Sequence, residues 1–484
     1  MSKALSKVRD VFRGDNLKAR GARGMAILGV ATAVERVLRL ARNMLLARLL
    51  APDVFGVMAM VIAASSIFET LSDVGIRQSI IHSTKGIDAD YLNVAWWVQS
   101  LRGLGLYLFG IIVAPWVGQF YDMPELVLLL RVAFLTMFFY GLRSPRAWVL
   151  EKQMRFGRYI ILIQGSGLLS TLVTIGLAIY LRNVWALVIG VVSQAVILCI
   201  LSFVLCPFLP RLTIDKDSLR ELLDFAKGMF GLSFMAVIIL QIPVFVLGKM
   251  VSDVQLGMYY LAFQLAYQPV QLFNRVVGKI LLPAFAEKQH EKKSICRVML
   301  TMARSTSIFI VPLLALTIIC AGLILSLVYG SQYAAVATPF ILLCVWGLVL
   351  MESIKVSSIF LGMGLPRLYR RIVALRGLLL AGLIYPATFY WGLSGAAAAM
   401  LAAYSIGLVL PFIWMKKLIG FEILEYGRAW LPGLLLSVFV FVPMALLRFI
   451  NVEYIVLNVI TAGLGCLTAV VVGVFYLRRR YKLI

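Results

Sequence analysis

Between residues 25 and 477 one apolar run follows another with only short polar connections. LVLLLRVAFLTMFFYGL (126–142) and FVPMALLRFI (441–450) are examples. A helix needs about 20 mostly apolar residues to cross the hydrocarbon core of a bilayer. Composition points the same way, with 62% of residues hydrophobic and 14% charged; soluble domains carry about 45–50% and about 25%. A secreted globular protein would have one such run near its start. Here the first 24 residues are polar and basic, without the pattern of a cleaved signal peptide. The chain is therefore read as an all-α integral membrane protein.

About fourteen transmembrane helices are expected from the length and spacing of the runs. A basic segment over 1–24 precedes them. Leu5, Val8 and Phe12 share one helical face there, so it reads either as an amphipathic helix on the cytoplasmic leaflet or as a disordered basic tail. A six-helix bundle is expected over 25–208, a cytoplasmic linker over 209–227 and a second six-helix bundle over 228–415. Two additional helices (429–477) and a basic tail (478–484) complete the chain. In the linker, Thr213 or Asp215 is placed to cap a short helix bearing Leu219, Leu222, Leu223 and Phe225. ARLLAPDVFGVMAM (47–60) and GKMVSDVQLGMYYL (248–261) resemble each other, and each falls between the first and second span of its half. That is the mark of a parallel pseudo-repeat.

The formal net charge is +24, from 46 Lys and Arg against 22 Asp and Glu. Alternate connections carry it: RSPRAWVLEKQMRFGR (143–158), EKQHEKKSICR (287–297) and PRLYRR (366–371) are basic, whereas APDVFG (51–56), YGSQY (329–333) and WGLSG (391–395) are not. The positive-inside rule then places both termini in the cytoplasm. Nucleic acid is a poor reading of this charge. The six cysteines have no CxxC spacing, and the only two histidines, His82 and His290, fall in cytoplasmic connections, so no metal site is expected. No GxxxxGK[ST] loop is present, which argues against ATP hydrolysis. No cofactor is expected.

Charges inside the spans are the informative exception. ERVLRLARNMLLAR (35–48) places Arg36, Arg39 and Arg42 at steps of three, a slanted stripe along one helix face. Facing lipid, the three would cost about 8–10 kcal/mol. Glu69, Arg102, Arg131, Arg304, Glu352 and Lys355 also fall within spans, and the eighth span carries Gln264, Gln268, Gln271, Asn274, Arg275 and Lys279. Structural readings cover part of this set. Arg48, Arg182, Lys249 and Arg448 lie near span ends and snorkel; Glu352 and Lys355, three apart, neutralise each other across one turn; Glu35 partners Arg39 or Arg102. Cations still outnumber the deep acids. A cationic, water-accessible cavity suits a mobile anion such as a diphosphate on a lipid, because guanidinium grips phosphate with paired hydrogen bonds.

Several stretches resemble one family: ARLLAPDVFGVMAM (47–60), LSDVGIRQSIIH (71–82), RNVWALVIGVVSQAVI (182–197), PRLTIDKDSLRELLDFAKGMFGLS (210–233), LGMYYLAFQLAYQPVQLFNRVVGKILLPAF (256–285) and WGLSGAAAAMLAA (391–403). They resemble the polysaccharide flippases of the multidrug/oligosaccharidyl-lipid/polysaccharide exporter superfamily, of the O-antigen and exopolysaccharide type related to the colanic acid exporter. The resemblance implies two six-helix bundles plus two helices, and alternating access. It also implies transport of undecaprenyl-diphosphate-linked oligosaccharide from the cytoplasmic to the periplasmic leaflet of a bacterial inner membrane. More distantly, ERVLRLARNMLLAR is similar to the first span of lipid II flippases, whose cavity arginines match Arg36 and Arg42. An acidic residue is usual there where this chain has Asn43, and Gln264 stands where those flippases carry an Arg on the eighth span.

On this reading Arg36, Arg39, Arg42, Arg275 and Lys279 hold the diphosphate. Asn43, Arg102, Arg131, Gln264 and Gln268 extend the cavity, and Glu35 or Glu69 serves proton or sodium coupling. Membrane lipids and polysaccharide polymerase or assembly proteins are the expected partners. Two alternatives stay open. A multidrug/cation antiporter of the same superfamily would need an acidic cavity, and a membrane-bound polymerase or ligase would need a sizeable extracytoplasmic loop.

Overall fold

Several tight turns in this chain fall at glycines with positive φ, among them Gly330, Gly364, Gly392 and Gly420. The computed structural model describes residues 34–473 apart from 72–74, 154, 212–214, 230–231, 288–290, 450–460, 462 and 470. The basic segment over 1–24, Thr213, most of the last predicted span and the tail over 478–484 lie outside the described residues. Those residues are helical throughout their long segments, and nine helices among them are long and apolar enough to cross a membrane. The protein is a multi-pass, all-helical membrane protein. Three features bear on the difference from fourteen. Asp253–Glu287 coincides with the predicted eighth span, but its Gln, Asn, Arg and Lys side chains lower its hydropathy. The first predicted span is described only from residue 34. Pro366–Ile419 contains two predicted spans in one helical run.

That last run turns back on itself at Gly392, whose φ of 53° and ψ of −134° suit only glycine. Its arms are antiparallel: a Cβ on Gly395 would lie 1.8 Å from the Ala387 carbonyl oxygen, and one on Gly407 would lie 2.4 Å from Arg376 Cγ. Phe156–Leu181 and Val184–Leu205 form another tight hairpin. Arg182 closes the first helix at φ 52°, and the Asn183 side chain caps the second by accepting from the Trp185 amide at 3.1 Å. Asn183→Ala is expected to lose about 1 kcal/mol of stability, read as a lower thermal midpoint in detergent.

The chain forms two compact units, Met1–Gly257 and Met258–Ile484. In the first, Ala89–Phe120 packs on Pro124–Ala133 and Leu135–Leu142, with Gly103 and Gly141 letting two backbones meet. A cap of short helices, Ile76–His82, Arg146–Lys152 and Lys216–Met229, closes over one end through Ile80, Tyr91, Trp148, Phe208 and Leu222. Asp215 caps the third of these: its carboxylate accepts from the Ser218 amide (3.1 Å) and hydroxyl (2.5 Å), which holds its pKa below the ordinary value.

Pro52–Leu71 and Leu232–Met250 also pack together in this unit. Here the two repeated motifs meet. A Cβ on Gly56 would come 2.1 Å from the Asp253 carbonyl oxygen, and one on Gly257 would come 1.8 Å from the Pro52 carbonyl oxygen. Each glycine is four residues after the first residue of its helix, so the contact is reciprocal. Backbones approach this closely only where side chains are missing.

In the second unit, Lys292–Ile319 packs on Ile423–Phe449, and Ala337–Gly362 packs on Pro366–Ile419. Glu352 and Lys355 form the expected ion pair, 6% and 0% exposed. Tyr426 donates to the Glu352 carboxylate, and Lys355 lies 3.4 Å from Thr306 Oγ1 and 5.6 Å over the Trp430 ring. Lys355→Met alone strands a buried carboxylate and is expected to cost about 3–5 kcal/mol. The double variant Glu352→Gln/Lys355→Met should recover most of that loss, as a double-mutant cycle of thermal midpoints would show.

Candidate functional site

A cavity of about 510 Å³ opens inside the first unit. Glu69 and Thr70 reach it from the end of Pro52–Leu71, Arg77 and Gln78 from Ile76–His82, and Gln99 and Arg102 from Ala89–Phe120. Tyr140 and Gly141 come from Leu135–Leu142, followed by Arg143 and Trp148. Three guanidinium groups and one carboxylate therefore line it. The basic connections of the sequence border this end of the unit, since Arg143, Arg146 and Trp148 belong to RSPRAW (143–148).

The lining is held from behind. Arg77 makes two bonds to Glu151, at 2.9 and 2.6 Å. Arg102 Nη2 donates to the Glu69 main-chain carbonyl at 3.2 Å. Gln99 Nε2 donates to the Tyr140 carbonyl at 2.6 Å, and Ser100 Oγ donates to that of Gly141 at 3.2 Å. Arg143 lies 4.6 Å from the centre of the Trp148 ring, within the range of a cation–π contact. Among the described residues Arg143 Nε has no hydrogen-bond acceptor and Gln99 Oε1 has no donor. Burial lowers the Arg143 pKa, against the opposing influence of Tyr140, Tyr159 and Glu69. A cavity with such a lining can take an anionic group carrying hydroxyls.

Of the residues expected from sequence, Glu69 and Arg102 line this cavity. The stripe on helix 34–49 divides. Arg39 is exposed and bonded to Glu35 at 2.5 Å, and Gln164 Nε2 donates to the other Glu35 oxygen at 2.9 Å. Arg36 and Arg42 are half-buried, and Arg42 Nε and Nη2 each lie 3.4 Å from Asn43 Oδ1. Arg131 is exposed in the last turn of Pro124–Ala133. In the second unit, Gln264 donates to the Tyr260 hydroxyl at 2.6 Å, Gln268 is half-buried and Arg275 is exposed. The Lys279 side chain lies outside the described residues.

Sequence reasoning passed over Arg143 and Trp148 because they sit in a connection whose basic charge reads as topology, Arg77 because it lies between predicted spans, and Gln99 because it is uncharged within a span. It also passed over Arg376, which is 5% exposed in the second unit. The Arg376 guanidinium lies 5.4 Å from the Tyr404 ring centre, and its Nε and Nη2 have no acceptor among the described residues. The available signal was Arg376 standing alone inside the otherwise apolar stretch IVALRGLLLAGLIYPATF (372–389). Among the described residues no group of three His, Cys, Asp or Glu side chains gathers as a metal site.

Residues 45–338 match the family described as "Polysaccharide biosynthesis protein". The chain is similar to an uncharacterized membrane protein in the cps region of Klebsiella pneumoniae, 23% identical over 395 residues that cover 81% of each chain. It is also similar to the lipopolysaccharide biosynthesis protein WzxC of Escherichia coli K12, 21% identical over 421 residues, 86% of this chain and 85% of that one. Among solved structures it is similar to the lipid II flippase MurJ in an inward closed conformation. There the TM-score is 0.73 at 14% identity, covering 94% of this chain and 100% of that one.

Proposed function

The chain belongs to the polysaccharide biosynthesis protein family, within the multidrug/oligosaccharidyl-lipid/polysaccharide superfamily, and from that membership we propose a flippase for lipid-linked oligosaccharide. It is a membrane transporter rather than an enzyme. Its cargo is undecaprenyl-diphosphate-linked repeat units, moved from the cytoplasmic to the periplasmic leaflet for a surface polysaccharide. The arginine-lined cavity of the first unit carries this reading most directly, since Arg102 and Arg143 share its lining with one carboxylate, Glu69, while Arg77 is paired with Glu151. An organic cation would find the wrong sign there, which disfavours the multidrug antiporter.

In this account the cavity receives the diphosphate and first sugars from the cytoplasmic side. Arg102 and Arg143 bind phosphate oxygens, while Gln78 and Gln99 accept and donate to hydroxyls. Arg36 and Arg42 form the next cationic positions along the route, with Arg275 and Lys279 contributing from the eighth predicted span. Arg39, tied to Glu35, orients its helix. Lipid tails stay in the bilayer, and two six-helix bundles rock to expose the headgroup alternately to each side. Export of an anionic headgroup from a negative interior gains about 2.3 kcal/mol per charge per 100 mV. Both termini face the cytoplasm, and proton or sodium coupling is assigned to Glu69. Deleting the gene from its host should remove one surface glycan while lipid-linked units accumulate. Loss of no glycan, with no accumulation, would refute the assignment.

A further inference from the structure

A second cavity, of about 380 Å³, lies in the second unit where Lys292–Ile319 begins and Pro366–Ile419 ends. Its walls carry opposite charges. Lys293, Arg297, Thr301 and Arg304 recur along one face of Lys292–Ile319 at intervals of four, four and three. Across from them, Gly420 closes Pro366–Ile419 in a left-handed conformation (φ 69°), and Glu422 and Glu425 follow it. The end of that helix adds partial negative charge. The flanking helices expose apolar side chains, among them Ile423, Leu424, Phe309 and Leu313. Farther along they close up, since a Cβ on Gly433 would lie 2.3 Å from the Ser307 carbonyl oxygen.

We propose that this cavity binds the headgroup of a zwitterionic phospholipid with a primary ammonium. Lys293, Arg297 and Arg304 take its phosphate, and Glu422, Glu425 and the helix end take its ammonium. A headgroup with negative charge alone would leave two carboxylates facing it. A trimethylammonium would offer the carboxylates no N–H donor and would call for an aromatic cage instead. The basic connection 287–297 sets the cavity at headgroup level on the cytoplasmic side.

The test uses the full-length protein and native mass spectrometry. Phosphatidylethanolamine, phosphatidylglycerol and phosphatidylcholine of identical acyl chains are supplied in equal amounts. Phosphatidylethanolamine should be retained about tenfold over each of the others, the scale of one charge-assisted hydrogen bond. Lys293→Gln/Arg297→Gln and Glu422→Gln/Glu425→Gln should each reduce that retention about tenfold or more. All four side chains are exposed, so the folded state survives these changes. Equal retention of phosphatidylethanolamine and phosphatidylcholine would overturn the proposal. So would retention unchanged in both variants, or a preference of the parent protein for phosphatidylglycerol over phosphatidylethanolamine.

Discussion

Arg143→Gln, in protein that inserts and folds normally, is expected to lower translocation about 10- to 100-fold. The range follows from one guanidinium–phosphate interaction of about 1.5–3 kcal/mol. Arg143 is suited to such a role because its ring partner Trp148 holds it while Nε has no acceptor among the described residues. Arg102→Gln should have a smaller effect, since Arg102 also bonds the Glu69 carbonyl and so divides its donors. Arg143→Lys keeps the charge but loses the planar fork, and should recover only part of the activity. Initial rates in vesicles, normalised to inserted protein, distinguish these cases. Full activity in Arg143→Gln would remove this residue from the mechanism.

Gly56→Leu and Gly257→Leu should be the most damaging single changes outside the cavity. Even an alanine at either position would place its Cβ about as close as a covalent neighbour to a main-chain oxygen, at 2.1 Å and 1.8 Å. Main chain cannot swing aside as a flexible side chain does, so the helix ends must separate. Overpacking of this kind costs about 1–3 kcal/mol for an added methylene, and leucine adds several. Spin labels at Asp53→Cys and Gln255→Cys, both exposed, report the separation in a cysteine-free background. The parent should give a short distance, and each leucine variant a longer one with a lower thermal midpoint and lost transport. An unchanged distance with full transport would show that the crossing tolerates bulk and is not a fixed point of the fold.

The membrane class and the helical hairpins could be read from sequence because they depend on local pattern. WGLSG (391–395) places a glycine where a tight reversal needs one, and the structure turns at Gly392. The Glu352–Lys355 pair followed from a spacing of three along one helix. Its third member, Tyr426, lies 74 residues away, and no periodicity announces such a partner. The arginine stripe shows the same division. Spacing put Arg36, Arg39 and Arg42 near one face and left Glu35 to Arg39 or Arg102; packing pairs it with Arg39 and adds Gln164 on the same carboxylate, which no spacing announces. The cavity was the least legible feature. Its arginines come from Ile76–His82, Ala89–Phe120 and the turn at Arg143, so its positive lining exists only once those elements meet.

If cations in this fold recognise a lipid-linked diphosphate, the protein should carry such a lipid across a bilayer and discriminate against a neutral one. The most direct measurement reconstitutes the protein in liposomes with a fluorescent undecaprenyl-diphosphate oligosaccharide. Loss of signal to a membrane-impermeant quencher then reports movement between leaflets. Translocation should require the protein, fall when the diphosphate is replaced by a neutral linkage, and fall in Arg102→Gln/Arg143→Gln. Equal movement of the neutral and diphosphate lipids, unaffected by that double substitution, would contradict the account.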